Sequence, residues 1–385
     1  MLSCRPLATY TATNESTRPL LGADRIGLIK EILADKRVGL VVNQTSILSD
    51  SRVHLLDTLL SEGVNVRKIF APEHGFRGTL EPGAHVASDI DEKTGLPIIS
   101  AYGQNNRPTA AQLDDIDVLV FDIQDVGTRF YTYISTMHYM MDACAEYGKE
   151  FVVLDRPNPN DFVDGPIRKP GFESFVGVDP IPVLHGLTVG ELAKMINGEG
   201  WLKSTPDKCK LTVVQMLNWK HGDLYTLPVR PSPNLPNQQA IRLYPSLCFF
   251  EGLYVSVGRG TEFPFQVLGC PDKRGGSFTF TPVALPGYDL NPMHKDKTCY
   301  GIDLRTYPFE GGLSLHFILD FYNRLGKDGK LFFTRANWFD LLAGNSSLRT
   351  QIVEGLSEKE IRASWQPDLN QYKAMRKKYL LYQDY

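Results

Sequence analysis

The alternation of short apolar runs with helix-like segments constrains the fold of the first half more than any other feature of the sequence. Five runs are apolar along most of their length: 38–43, 66–71, 97–101, 117–122 and 151–155. Residues 52–62 and 131–147, which lie between such runs, have helical character. Continuously apolar strands are typical of a parallel sheet that helices cover on both faces. The sequence therefore predicts an α/β fold with a Rossmann-like, mostly parallel sheet.

The chain changes in character after this alternating region. Its 385 residues suggest about two domains. We predict a flexible N-terminal arm at 1–21, a Rossmann-like α/β domain at 22–160 and a smaller mixed α+β domain at 161–385. The boundary at 160 is open to an exchange of elements between the two domains.

Composition and motifs argue against several classes of function. No Gly-x-Gly-x-x-Gly motif follows the first strand, so no dinucleotide cofactor is indicated. A net charge of −3 and a pI near 6.3 argue against a nucleic-acid partner. The six cysteines form no Cys-x-x-Cys pair, which argues against a cysteine zinc site. No apolar run reaches the length of a transmembrane helix.

The first residues carry a hint about location. Leu2-Ser3-Cys4 resembles the end of a bacterial lipoprotein signal, which favours the cell envelope, periplasmic or secreted, with an anchor at Cys4. A random start of the sequence is the alternative interpretation.

Polar residues are concentrated where the predicted strands end. They are Glu73, His74 and Arg77, then Asp122, Gln124, Asp125, Arg129 and Tyr131, and finally Asp155, Arg156 and Asn158. The carboxyl ends of parallel strands form the crevice in which such folds bind ligands, so we expect these residues to form a site. Individually they also have structural interpretations, such as a cap at Asp122 or an Asp125–Arg129 ion pair. A framework alone is not expected to gather so many polar groups at one edge.

A second polar cluster lies in the later half. Asn234 ends the segment Arg-Pro-Ser-Pro-Asn, and Arg259 lies in a Gly-Arg-Gly turn. Glu262 follows beside Phe263 and Phe265, and burial in such surroundings would raise the pKa of its carboxyl group, as a general acid requires. A loop glutamate paired with Arg259 is the structural alternative.

These motifs together resemble the exo-β-N-acetylmuramidase (NamZ-like) family, over nearly the whole chain from about residue 22. The resemblance is carried by Ala-Pro-Glu-His-Gly-Phe-Arg at 71–77, Phe-Asp-Ile-Gln-Asp-Val-Gly-Thr-Arg-Phe-Tyr-Thr-Tyr at 121–133, Leu-Asp-Arg-Pro-Asn-Pro at 154–159, Gly-Arg-Gly-Thr-Glu-Phe-Pro-Phe at 258–265, and Ala-Ser-Trp at 363–365 with Lys-Lys-Tyr-Leu-Leu at 377–381. It implies a cleft active site between two domains. It also implies release of terminal N-acetylmuramic acid from the non-reducing end of peptidoglycan fragments. We predict no cofactor and no metal.

Glycoside hydrolysis needs a proton donor and, on the opposite face of the sugar, a base or nucleophile. Glu73 is the first candidate for a catalytic carboxylate and Glu262 for its partner, with Asp122 and Asp125 as rivals. The N-acetyl group of the substrate is a further candidate nucleophile.

Recognition of the sugar is expected to fall to the remaining polar residues. An arginine should bind the lactyl carboxylate of muramic acid, and Arg129, Arg156 and Arg259 are the candidates. Tyr131 and Phe263 could pack on the sugar ring. The other residues predicted to bind substrate are His74, Arg77, Asp122, Gln124, Asp125, Asp155, Asn158 and Asn234.

Two other functions remain open at this point. His74, Asp122, Asp125 and Asp155 could hold a divalent ion in a metal-dependent hydrolase of cell-wall material. The same residues could also serve a muropeptide-binding protein without catalysis. The sequence leaves the oligomeric state undetermined.

Overall fold

The computed structural model describes residues 18–76, 89–103, 106–327 and 332–385. The strands are β1 (Val38–Val42), β2 (Val66–Ala71), β3 (Asp89–Ile90), β4 (Pro97–Ser100), β5 (Val118–Asp122), β6 (Glu150–Leu154), β7 (Val163–Ile167), β8 (Pro182–His185), β9 (Lys210–Val214), β10 (Val267–Cys270), β11 (Phe278–Phe280) and β12 (Cys299–Asp303). The α-helices are α1 (Ile26–Leu33), α2 (Leu55–Ser61), α3 (Ala110–Leu113), α4 (Tyr133–Glu146), α5 (Val189–Gly198), α6 (Gln238–Leu247), α7 (His316–Phe321), α8 (Ala336–Ala343), α9 (Ser347–Val353) and α10 (Glu358–Arg376).

A large sheet organises the described part of the first half. Its seven strands have the order β3-β4-β2-β1-β5-β6-β9. Neighbouring strands are parallel except for β3 and β4, which are antiparallel. The five apolar runs coincide with β1, β2, β4, β5 and β6 to within one residue at each end. The Rossmann-like α/β prediction is therefore confirmed.

Alternate residues of the strands pack into two cores. In β5, Val118 and Val120 pack with residues of α1 and α2, whereas Leu119 and Phe121 pack with residues of α4 and α5. This alternation explains why the strands are apolar throughout. The core that contains Leu119 and Phe121 also includes residues of α6 and α8 from the later half. The two halves therefore share one hydrophobic interior.

Elements from beyond residue 160 complete the large sheet. Strand β9 pairs with β6 at its edge. Helix α5 begins with a capping box, in which Thr188 Oγ1 accepts from the Glu191 amide and the Glu191 carboxylate accepts from the Thr188 amide. At the other end of the described chain, Leu21 is buried and Leu20 pairs with Leu217. Residues 1–17, including Cys4, lie outside the described residues.

The later half contains a small antiparallel sheet with the order β10-β12-β11. The apolar run at 253–257 has the character of a strand in the sequence, but no strand forms there. The backbone there bonds to separate segments, from the Tyr254 amide to the Phe332 carbonyl and between Ser256 and Gly269, so no continuous ladder forms. No helix in the described ranges is long and apolar enough to cross a membrane.

Candidate active site

A cavity of about 790 Å³ opens between loops of the first half and segments of the second. The first half contributes residues that follow β2, β4 and β5 together with Phe175 and Val176, and the second half contributes residues from four stretches, 232–235, 244–265, 289–293 and 335–338. The polar and aromatic residues that line it include Glu73, His74, Tyr102, Tyr131, Thr132, Tyr133, Phe175, Ser232, Asn234, Glu251, Arg259, Asp289, Asn291, Arg335 and Trp338. A concave site of this size suits a ligand of one or more sugar units.

Glu73 lies in the turn that follows β2. The turn is closed by a 2.9 Å hydrogen bond from the Gly75 amide to the Pro72 carbonyl. His74 has a left-handed backbone, with φ of +70°. That conformation is uncommon for a residue with a side chain and is concentrated at functional sites. The turn therefore holds Glu73 and His74 on the cavity wall at a conformational cost.

Two hydroxyl groups from different loops orient the Glu73 carboxylate. The Tyr102 hydroxyl donates to Oε1 at 2.9 Å, and Thr132 Oγ1 donates to Oε2 at 2.6 Å. Burial, together with the nearby Glu73 carboxylate, raises the pKa of Tyr102 well above its usual value, so the phenol keeps its proton. The carboxylate is half-buried and fixed from both sides.

Arg259 and Glu251 face the cavity from the second half. Nε and Nη2 of Arg259 donate to Glu251 Oε1 at 3.1 and 2.5 Å. The guanidinium also lies over the Phe265 ring, with 5.2 Å between Cζ and the ring centroid. Gly258 and Gly260 have φ of +82° and +79°, and a Cβ there would clash with Val267 and Pro292. The Gly-Arg-Gly turn that the sequence predicts is confirmed.

Asn234 and Tyr131 complete the part of the cavity wall that the sequence anticipates. Both side chains are buried. Asn234 Nδ2 donates to the Tyr288 carbonyl at 3.0 Å, while its Oδ1 has no partner among the described residues. The Tyr131 ring packs edge-on against Tyr133 and Tyr244.

Most of the remaining predicted site residues lie behind the cavity wall, in what we call the sheet-edge framework: Asp122, Gln124, Asp125, Arg129, Asp155, Arg156 and Asn158. None of these seven residues lines the cavity. All are buried, with exposures of 5% or less. The expectation that such a density of polar groups must face a ligand is therefore corrected, because these groups bind one another and the backbone.

The two arginines of the framework illustrate this role. Arg156 pairs with Asp122, with Nε–Oδ1 and Nη2–Oδ2 distances of 2.6 and 2.9 Å. Arg129 donates to the carbonyls of Pro166, Ile181 and Leu342 at 2.7–2.8 Å. Neither guanidinium is placed to meet a lactyl carboxylate in the cavity. The Asp125–Arg129 ion pair considered from the sequence does not form, because Asp125 faces His185 and the Gly127 amide whereas Arg129 donates to backbone carbonyls.

The other framework residues hold turns and helix ends. Asp155 accepts from Thr188 Oγ1 and from the Gly190 amide, both at 2.8 Å, at the start of α5. Asp125 accepts from the Gly127 amide at 2.6 Å. Side-chain amides act similarly: Gln124 donates to the Pro157 carbonyl and Asn158 to the Leu187 carbonyl.

The two remaining predicted site residues are Glu262 and Arg77. Glu262 is exposed and does not line the cavity, so the apolar burial expected for it does not occur, and Arg259 pairs with Glu251 instead. Phe263, which follows, packs under Arg305 with 4.8 Å from Cζ to the ring centroid. Arg77 lies outside the described residues.

The four candidate metal ligands, His74, Asp122, Asp125 and Asp155, do not come together as a ligand set. Within the described ranges, no three or more His, Cys, Asp or Glu side chains lie together as metal ligands would. Asp122 and Asp155 are instead committed to Arg156 and to the start of α5.

Comparison with known proteins decides the family. The model of the N-terminal part of the exo-β-N-acetylmuramidase NamZ matches residues 38–239, and that of its C-terminal part matches residues 242–382. The chain belongs to the NamZ exo-β-N-acetylmuramidase family. It is 39% identical over 375 residues to the peptidoglycan β-N-acetylmuramidase NamZ of Bacillus subtilis (strain 168), covering 92% of this chain and 88% of that protein.

Solved structures agree with this assignment. One DUF1343 family protein from Bacteroides fragilis NCTC 9343 has a TM-score of 0.87 and 44% identity, covering 96% of this chain and all of that chain. A second, from the same organism, has a TM-score of 0.82 and 31% identity, covering 95% and 100%. The division between the two NamZ models falls near residue 240, at the start of α6.

Several residues of the NamZ-type cavity were not predicted from the sequence. Thr132 lies inside one of the quoted motifs, so its position beside Tyr131 was the available signal. Glu251 follows two phenylalanines in an apolar stretch, and Tyr102 and Trp338 stand apart from the motifs. Only the folded chain brings these residues to the cavity.

Proposed function

We propose that this chain is an exo-acting glycoside hydrolase that releases N-acetylmuramic acid from the non-reducing end of peptidoglycan fragments, with Glu73 as a catalytic carboxylate. Membership of the NamZ family and the activity of the Bacillus relative support the reaction and the substrate. The residue assignment rests on the two hydroxyl groups, of Tyr102 and Thr132, that donate to the Glu73 carboxylate at the cavity wall. We call this arrangement the hydroxyl clamp.

The clamp suits a group that must act on one atom of a bound sugar. Fixing both oxygens sets the plane of the carboxylate before the substrate arrives, and such preorganisation lowers the entropic cost of the reaction. His74, in the strained turn, adds a second titratable group beside it. Glu251 and Asp289 are the other carboxylates on the described wall.

The function is tested with two matched substrates, an aryl β-N-acetylmuramide and the corresponding aryl β-N-acetylglucosaminide. We expect release of the aryl group from the muramide alone, and no loss of rate after prolonged chelation. Binding of muropeptides without release would contradict the catalytic proposal and favour a binding protein. A rate that falls on chelation and returns with a divalent ion would favour the metal-dependent hydrolase.

The exo mode needs a separate substrate pair. We expect a short peptidoglycan fragment with muramic acid at its non-reducing end to lose that sugar. The same fragment capped there by N-acetylglucosamine should remain intact. Internal cleavage of the capped fragment would contradict the exo mode.

We also propose a cell-envelope location, because peptidoglycan fragments arise there and Leu2-Ser3-Cys4 resembles a lipoprotein signal. Fractionation of cells that make the protein naturally, alongside cells that carry the Cys4→Ala variant, tests this. Loss of membrane association in the variant is expected; recovery of the unaltered chain in the cytoplasm would contradict the location.

A further inference from the structure

We propose that Glu251 and Arg259 act together as the specificity device of the cavity, with Glu251 as a positioning residue that aims the Arg259 guanidinium at the lactyl carboxylate of the substrate. The proposal rests on the proposed function, since it concerns how the same cavity chooses an anionic sugar.

The first step of the argument is a choice among the arginines. Of the three that the sequence offers for the lactyl group, Arg129 and Arg156 are 1% and 2% exposed and occupied within the framework. The Arg259 side chain is 23% exposed and lines the cavity. Arg335 also lines it, but its side chain is exposed and packs over Trp338 at 5.2 Å.

The second step is the unused hydrogen-bonding capacity of Arg259. Nε and Nη2 are held by Glu251, whereas Nη1 has no partner in the part of the chain that the structure describes. A buried donor without an acceptor is costly, so native sites usually supply one. Asn234 Oδ1 and Trp338 Nε1 on the same wall are likewise without partners among the described residues. The wall is therefore incomplete in a way that a polar ligand would satisfy.

The third step is the chemistry of the ligand. An arginine held in one plane binds a carboxylate with little further loss of side-chain entropy. Glu251, the Phe265 ring and the flanking glycines provide that constraint. N-acetylmuramic acid differs from N-acetylglucosamine by its lactyl ether, which adds the one carboxylate. A fixed arginine is thus suited to the feature that separates the two sugars.

The test compares an aryl β-N-acetylmuramide with its lactyl methyl ester, which differs in charge at the group of interest. For the unaltered protein we expect kcat/KM to be about 10- to 100-fold higher for the acid, since a hydrogen bond to a charged group is worth about 1.5–3 kcal/mol. Arg259→Gln should remove most of this preference through KM, with kcat at saturation little changed. Arg259→Lys should restore part of it.

Glu251→Gln separates positioning from catalysis. We expect it to reduce the preference for the acid while leaving kcat for the ester within a few-fold of normal. Loss of kcat on both substrates would overturn the positioning role and make Glu251 a catalytic group. An undiminished preference in Arg259→Gln would overturn the proposal as a whole.

Two controls keep these outcomes interpretable. Arg305→Gln breaks an exposed ion pair with Asp303 outside the cavity, and should leave the preference intact. If a variant fails to fold, binding of free N-acetylmuramic acid and N-acetylglucosamine to the unaltered protein, measured by calorimetry, still decides: equal affinities would contradict the proposal. Release from neither aryl substrate by the unaltered protein would instead contradict the proposed function.

Discussion

The Asp122–Arg156 pair of the sheet-edge framework and the Glu251–Arg259 pair of the cavity wall have the same chemistry in different surroundings. The side chains of the first pair are 0% and 1% exposed, and those of the second are 19% and 23% exposed. Arg156 also donates to the Ile47 carbonyl at 3.1 Å, whereas Nη1 of Arg259 has no partner among the described residues. The first pair stabilises the fold, whereas the second leaves one arginine nitrogen, Nη1 of Arg259, available for a ligand.

The largest expected effect on stability comes from breaking the buried pair. Arg156→Met leaves the Asp122 carboxylate buried without its cation, which should lower the free energy of unfolding by about 3–5 kcal/mol. Arg259→Gln should lower it by about 1 kcal/mol or less, because its pair is partly exposed. Urea unfolding of both variants measures the difference. Equal losses would show that the two pairs do not differ in the way proposed.

The next largest effect is the pH dependence of stability, which we expect from His221 and from Asp155 of the framework. His221 is buried between Asp161, at 3.0 Å, and Glu191, at 3.1 Å. Burial lowers its pKa, but hydrogen bonds to the two carboxylates outweigh this and raise the pKa to about 9. The folded state therefore holds a proton that the unfolded state releases near pH 6.5. This stabilisation, of about 3 kcal/mol, is complete below pH 6.5 and is lost as the pH rises through 9.

Asp155 should add a second loss of stability with rising pH, over a lower pH range than that of His221. Burial, opposed by the Tyr382 hydroxyl and reinforced by Glu191, raises the pKa of Asp155 to about 7. A carboxyl group with a raised pKa stabilises the fold while protonated, and this contribution falls between about pH 4 and 7. Urea unfolding from pH 5 to 9.5 should therefore show stability falling with pH, and His221→Gln should flatten the upper part of the curve. An upper limb unchanged in His221→Gln would contradict the assignment.

A smaller effect is expected from the hydroxyls that position Glu73. Thr132→Val removes the 2.6 Å hydrogen bond to Oε2 and keeps the side-chain shape. We expect kcat to fall about 10- to 100-fold, as for the loss of one hydrogen bond to a charged group, with KM and unfolding little changed. Thr132→Ser should recover most of the rate. An unchanged kcat would show that the clamp does not position Glu73.

The smallest effect is expected at Glu262. Because its side chain is exposed and outside the cavity lining, Glu262→Gln should change stability by about 0.5 kcal/mol or less and leave turnover unchanged. A loss of turnover by orders of magnitude would restore Glu262 as the catalytic partner that the sequence suggests.

The same contrast explains how far the sequence could lead. The large sheet was predictable because its strands are buried on both faces and therefore apolar without interruption. The position of Glu73 on the cavity wall was predictable because the carboxyl ends of parallel strands meet in one crevice. The burial of the framework residues was not predictable. Arg156 and Arg259 both follow strand-like runs in the sequence, and only the structure shows which of them reaches the cavity. Glu251 was missed because its neighbours are apolar and its partner lies eight residues away across a turn.

The central claim is that Glu73 performs chemistry in the cavity while the framework residues hold it in place. The most direct measurement is turnover of the aryl β-N-acetylmuramide by Glu73→Gln, together with its urea unfolding curve. We predict a rate lower by about three orders of magnitude or more and an unfolding free energy within about 1 kcal/mol of normal. Near-normal turnover by this variant would contradict the account.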